Sequence, residues 1–232
     1  MAVPSKRDAR GRVAIRALIL TPTRELAAQV EESVRTYGKH LPLTSMVMFG
    51  GVGMQPQIDR LKRGVDILVA TPGRLLDHAG QRTLDLSQVE ILVLDEADRM
   101  LDMGFLPDIK RVLRHIPAKR QTLFFSATMP APIVALTREL LHSPVTINLD
   151  RQAAPAVGIT QAAYPVDAKL KPLLLLALLR RGDMKSALVF TRTKHRANRL
   201  ADWLERQGVR AARIHGNRSQ SQRTLALEGF KS

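Results

Sequence analysis

Cysteine is absent from the 232 residues. Disulfides, thiolate-bound zinc and thiol catalysis are therefore excluded, and the absence fits a reducing, cytoplasmic location. Aromatic residues are scarce at 4%, so stacking of bases on rings is not the obvious way for this chain to hold a nucleic acid. Long apolar runs are missing: the longest, Leu173 to Leu179, has seven residues, against about 20 for a membrane-spanning helix. Residues Met1 to Asp8 carry no apolar stretch of signal-peptide type. A soluble protein with no membrane partner is expected. Negative charge is the last scarcity, with 21 Asp and Glu against 36 Lys and Arg, a net charge of +15. Such an excess favours a polyanionic partner, nucleic acid ahead of an anionic membrane surface. A solvated basic face is the plain alternative.

What is present is ordinary for a globular protein: 45% hydrophobic and 25% charged residues. At roughly 150 residues per domain, the length corresponds to about one and a half domains. The charge is uneven. Arg180 to Ser232 holds 13 Lys/Arg and 4 Asp/Glu, so this last quarter carries more than half of the excess.

Short apolar runs alternate with helical patterns. Strands are expected at Ala17–Leu20, Thr44–Phe49, Asp66–Ala70, Ile91–Leu94, Thr122–Phe125 and Val145–Ile147. Helices are expected at Arg24–Tyr37, Met54–Lys62, after Pro72, and at Ile133–Leu141. Alternation of this kind predicts an α/β fold, a parallel sheet with helices on both faces. Chemistry in such sheets sits in loops after the carboxyl ends of the strands. Asp150 to Pro165 has little periodicity and is expected to be a linker. Beyond it the pattern predicts helices at Leu170–Leu179, Lys194–Gln207 and from Ser219, and strands at Ala187–Phe190 and Ala211–Ile214. Trp203, with Leu200 and Leu204 at helical spacing, is expected in a core. The expected organisation is residues 1–150, a linker 151–166, and a second domain 167–232.

Val93-Leu94-Asp95-Glu96-Ala97-Asp98 is the sharpest feature. Carboxylates at the end of a buried strand suit magnesium, which takes oxygen ligands and keeps several waters. A neighbouring Glu can position an attacking water. The same residues also suit an acidic helix N-terminus. Phe124-Phe125-Ser126-Ala127-Thr128 ends another strand, and its hydroxyls either cap a helix or bond the carboxylate loop. Thr21-Pro22-Thr23-Arg24 and Thr71-Pro72-Gly73-Arg74 each place Thr and Pro at a strand-to-helix junction with Arg in the first turn. Free N–H groups there bind phosphate, and Arg adds a bidentate contact. Gly50-Gly51 lets a backbone approach closely. Phe190-Thr191-Arg192-Thr193 repeats the junction, and His215-Gly216 with Gln220 to Arg223 offers further donors.

The ordered set resembles the DEAD-box ATP-dependent RNA helicases of superfamily 2, whose lobes are RecA-like. The set comprises PTREL at Pro22 to Leu26, GG at Gly50-Gly51, TPGR at Thr71 to Arg74 and DEAD at Asp95 to Asp98. It continues with SAT at Ser126 to Thr128, VFTRT at Val189 to Thr193, and QxxR at Gln220 to Arg223. Seven in order make a chance match very improbable. Ile91 to Pro130 looks closest to the bacterial RhlE-like subgroup. The resemblance implies ATP and Mg2+ as cofactors. Asp95 would hold the metal largely through water, and Glu96 would orient the water that attacks the γ-phosphate. Asp98, Ser126 and Thr128 would link that site to strand separation. Pro22, Thr23, Arg24, Gly50, Gly51, Thr71, Pro72, Gly73 and Arg74 would line RNA on the first lobe, and Thr191, Arg192, Gly216, Gln220 and Arg223 on the second. RNA would be held mainly by its sugar-phosphate backbone.

The pattern departs from the family at one point. No Gly-x4-Gly-Lys-[Ser/Thr] phosphate loop occurs, and the only Gly-Lys pair, Gly38-Lys39, is followed by His40. The resemblance then implies a central piece of a helicase, with an incomplete first lobe and the beginning of a second. It would lack the Walker A region and the later motifs with their arginine finger, and its own ATPase activity is expected to be negligible. An inactive RNA-backbone-binding fragment is the alternative to the helicase reading. A DNA helicase of the same superfamily is a third.

Overall fold

The computed structural model describes residue 7 and residues 11–149, 158–182 and 184–231. They fall into two compact units, Met1–Thr146 and Ile147–Ser232.

Five four-residue strands build the first unit: β1 (Ala17–Leu20), β2 (Ser45–Met48), β3 (Ile67–Ala70), β4 (Ile91–Leu94) and β5 (Gln121–Phe124). All pairings are parallel, in the order β2-β3-β1-β4-β5. Leu18, Leu20, Leu68, Leu92, Leu94 and Met48 are fully buried, as near-continuous aliphatic strands covered on both faces should be. Six helices complete the unit: α1 (Arg24–Tyr37), α2 (Met54–Lys62), α3 (Pro72–Gly80), α4 (Ala97–Asp102), α5 (Leu106–Leu113) and α6 (Ala131–Leu140). Helix α6 turns Ile133, Leu136 and Leu140 into the core at helical spacing. The start of α4 matches the acidic helix N-terminus open as a reading of Asp95–Asp98, whereas α5 was not anticipated from sequence. The pair is interrupted at Gly104, whose φ is +80°.

The register is flush. Leu20 stands opposite both Ala70 and Leu94, Met48 opposite Ala70, and Leu94 opposite Phe124. The five carboxyl ends therefore form one level row. At about 4.8 Å per strand the row is roughly 19 Å long. The ladder runs one residue further at each seam: Thr71 N donates to Met48 O, Thr21 N to Ala70 O, Asp95 N to Leu20 O and Phe125 N to Leu94 O. Asp66 locks the opposite edge. Its buried carboxylate accepts from Arg16 Nη2, Thr44 N and Thr44 Oγ1, each at 2.9 Å.

Three expected strands do not form. Val145–Ile147 pairs with nothing among the described residues, and Val145 and Ile147 are exposed. Ala187–Phe190 and Ala211–Ile214 in the second unit likewise pair with nothing among the described residues. Parallel strands gain their stability from burial on both faces, and here Leu188, Phe190 and Ile214 face solvent. The second unit consists of α7 (Lys171–Leu179), α8 (Lys194–Arg206) and α9 (Gln220–Lys231). Leu204 is buried as expected, together with Ala201, whereas Leu200 and Trp203 are only half-buried. Of the expected linker, residues 151–157 lie outside the described residues.

Candidate functional site

The row of strand ends collects five of the seven motifs side by side. From one edge to the other it carries Gly50-Gly51 after β2, Thr71 to Arg74 after β3, Thr21 to Arg24 after β1, Asp95 to Asp98 after β4, and Ser126 to Thr128 after β5. The carboxylate loop leaves between β1 and β4. There the chain order reverses direction, the place where open α/β sheets bind ligands.

On one side of that point, Arg24 and Arg74 converge on the glycine loop. A Cβ built on Gly50 would lie 3.8 Å from Arg24 Nη2 and 3.9 Å from Arg74 Nη2. A Cβ on Gly51, whose φ is +80°, would collide with the Arg24 guanidinium. Arg74 Nη1 donates to Val52 O at 3.1 Å. Three motifs 20 to 25 residues apart thus form one cationic, backbone-lined surface. Thr23 caps α1, its Oγ1 accepting from Leu26 N at 3.2 Å, and buried Thr21 donates Oγ1 to Thr23 O. Thr71 precedes α3 without a side-chain cap bond. Pro22, Thr71 and Pro72 are buried and shape the junctions, while Thr23, Arg24, Gly73 and Arg74 reach the surface. A Cβ on Gly73 would meet nothing of the chain, which leaves room for a ligand backbone.

On the other side, Asp98 is held by the Ser126–Thr128 loop. Asp98 Oδ2 accepts from Thr128 N at 2.9 Å and from Thr128 Oγ1 at 2.7 Å. Its N–H donates to Ser126 Oγ at 3.2 Å, and Ser126 Oγ donates to Thr128 O at 2.7 Å. The hydroxyls bond the carboxylate loop, one of the two readings open from sequence. Burial pushes the Asp98 carboxyl up, but donors from Thr128, Arg99 N and Ser126 outweigh it and hold it below the usual carboxylate value. Asp95 Oδ1 accepts from Glu96 N at 3.0 Å. Glu96 adopts left-handed backbone (φ 50°, ψ 51°), and its Oε2 pairs with Arg99 Nη1 at 3.3 Å. A non-glycine residue in that region is strained, and such strain gathers at functional sites. Among the described residues no group of three His, Asp or Glu could cage a metal. The Asp95–Glu96 pair fits an ion held by one or two carboxylates, water and ligand phosphates. No sequence of phosphate-loop type is present to cradle those phosphates.

In the second unit the junction design recurs. Thr191 Oγ1 donates to Thr193 O, and Thr193 Oγ1 accepts from Arg196 N to cap α8, as Thr21 and Thr23 do at α1. Ser219 and Gln222 form a reciprocal capping box before α9, which sets Gln220 and Arg223 in its first turn. Gly216 stands in the turn between His215 and α9, with open space where a Cβ would be. His215 Nε2 lies 2.9 Å from Asn198 Oδ1. Partial shielding from water, then Arg218, Lys194, Arg213 and Arg223, hold its imidazole below the ordinary value. Sequence reasoning missed the Thr21–Thr23 and Thr191–Thr193 pairs. The Thr-x-Thr spacing before a helix was the signal available.

Known proteins resemble this chain in sequence and in fold. The DEAD/DEAH box helicase family model matches residues 5–136, and the model of the helicase conserved C-terminal domain matches residues 169–232. The chain belongs to the DEAD/DEAH box helicase family. A DEAD-box relative, the ATP-dependent RNA helicase CshA of Listeria monocytogenes, is 44% identical over 219 residues, covering 94% of this chain and 42% of CshA. The DEAD-box ATP-dependent RNA helicase RhpA of Helicobacter pylori is 35% identical over 230 residues, 99% of this chain and 47% of RhpA. A crystal structure of a DEAD box protein from Methanococcus jannaschii superposes with a TM-score of 0.56 at 38% identity, covering 94% of this chain and 58% of that one. The sheet of the first unit is accordingly RecA-like. The chain spans less than half the length of these curated relatives. Their names, CshA and RhpA, give no support to the RhlE-like subgroup expected from Ile91–Pro130. Among the described residues no helix is long and apolar enough to cross a membrane.

Proposed function

We propose that this chain is the RNA-engaging part of an ATP-dependent RNA helicase of CshA-like type. One observation carries the reading: Arg24 and Arg74 meet over Gly50-Gly51, in the same row of strand ends that holds the Asp95–Asp98 loop. The RNA is held by its sugar-phosphate backbone, because the surface where Arg24 and Arg74 meet the glycine loop offers guanidinium and N–H donors. Such contacts position a strand without reading its sequence. Arg192, Gly216, Gln220 and Arg223 supply the same kind of contact from the second unit. Residues 1–150 and 167–232 then act as two lobes joined by 151–166, in the cytoplasm.

ATP and magnesium supply the driving chemistry in the whole protein. From this chain, Asp95 would hold the metal largely through water and Glu96 would orient an attacking water. Asp98, Ser126 and Thr128 would carry the state of that site to the RNA side. The residues present do not cradle nucleotide phosphates, so no hydrolytic step is assigned to them alone. The reading as an inactive binding fragment is not favoured, since both matched models are of helicases. Binding of unstructured RNA oligonucleotides of different sequence tests the proposal. Affinities within a few-fold of one another, with RNA outcompeting DNA, are expected. A strong sequence preference, or equal competition by DNA, would contradict it.

A further inference from the structure

Polar side chains are few in the core of the first unit, and one pair takes no part in the contacts described above. His78 on α3 is fully buried, and Gln57 on α2 is 7% exposed. His78 Nε2 lies 3.1 Å from Gln57 Oε1, and His78 Nδ1 lies 2.7 Å from Thr83 Oγ1. Gln57 Nε2 donates to Phe49 O at 3.0 Å. Phe49 is the residue before Gly50. His78 also stands one helical turn beyond Arg74 on the same face of α3, and Arg74 donates to Val52 O. Helix α3 therefore grips the loop 49–52 at both ends, through Arg74 directly and through His78 by way of Gln57.

The proton positions follow from the partners. Gln57 turns its NH2 toward Phe49 O and presents its oxygen, an acceptor, to His78, so Nε2 is the donor. Burial, then the Arg74 charge, hold the His78 imidazole below its ordinary value, with Asp77 opposing. With Nε2 donating, Nδ1 is the ring's acceptor, and the Thr83 hydroxyl, which also lies 3.1 Å from His78 O, shares its one proton between Nδ1 and that carbonyl. Every polar atom of the strut has a partner, as a buried network requires.

We propose that His78 and Gln57 are positioning residues for RNA binding, a buried strut that sets the Gly50-Gly51 backbone for contact with the RNA sugar-phosphate chain. The inference rests on the reading of that loop as RNA-facing. Neither residue touches RNA. Two consecutive glycines have no side chains to fix them and lose much freedom when ordered. A strut that orders them beforehand lowers the cost of binding.

The test uses the 232-residue chain with Gln57→Leu, His78→Leu and the conservative His78→Gln, which keeps a donor toward Gln57. Amide hydrogen exchange over residues 50–53 is measured without RNA, and affinity for an unstructured RNA oligonucleotide by fluorescence anisotropy. Faster exchange confined to this loop and a roughly three- to tenfold weaker Kd are expected in the Leu variants, with both recovered in His78→Gln. Unchanged loop exchange overturns the strut. Faster loop exchange with unchanged RNA affinity overturns its positioning role. If the unmutated chain binds no RNA, the function reading fails, while the exchange data still decide whether the strut exists. Should a Leu variant not fold, Gln57→Glu keeps the acceptor for His78 and removes the donor to Phe49.

Discussion

Asp98 accepts three hydrogen bonds on its carboxylate, two from Thr128 and one from Arg99 N. Thr128→Ala removes one and loosens another. A loss of about 0.5–1 kcal/mol in chemical denaturation is expected, together with a rise of the Asp98 pKa seen by carboxyl NMR titration. His78 sets a second residue-scale expectation. Its folded pKa is depressed, so its contribution to stability is complete above about pH 6.5 and is lost as pH falls through the lower folded value. Melting temperature should drop over that acid window and drop less in His78→Gln. An equal drop in both would show that another group is responsible. These two residues differ in how visible they were in the sequence. Asp98, Ser126 and Thr128 end apolar strands, where polar residues stand out. Gln57 and His78 sit inside helices 21 positions apart, and only the approach of α2 to α3 reveals them as a pair.

The elements of the first unit followed closely from hydrophobic period and helix caps. Helices α1 and α2 begin and end where the sequence pattern places them, because Thr23 caps one and Gly53 precedes the other. Thr23→Ala and Thr193→Ala should each cost about 1 kcal/mol, the typical loss of an N-cap, readable as lower denaturant midpoints. Gly51→Ala should do more. Its positive φ penalises any Cβ, and the new methyl would displace the Arg24 guanidinium. A loss of roughly 1 kcal/mol or more in stability should come with weaker RNA binding. Full stability with full binding would show that the loop is not as tight as described. The strands expected after β5 do not form: Val145–Ile147 and the two of the second unit. Apolar runs such as Ala187–Phe190 show a preference for extended backbone, yet no ladder forms there among the described residues. A strand also needs a neighbour, and neighbours are supplied by tertiary contacts that a local pattern does not contain.

For the molecule as a whole, the net charge of +15 and the row of strand ends point to one partner. The sign of the charge was plain in the sequence, as was the order of the motifs. What the fold adds is their placement: β2, β3 and β1 bring Gly50-Gly51, Arg74 and Arg24 together on one side of the sheet's reversal point, with the carboxylates on the other. The central claim is that this cationic surface holds RNA by its phosphates. The most direct test is the salt dependence of affinity for an unstructured RNA, in the unmutated chain and in Arg24→Ala/Arg74→Ala. For single strands each neutralised phosphate contributes about −0.7 to the slope of log K against log salt. The account predicts a steep negative slope in the unmutated chain that becomes shallower by roughly 1.4 in the double variant. Identical slopes and affinities in the two proteins would contradict it.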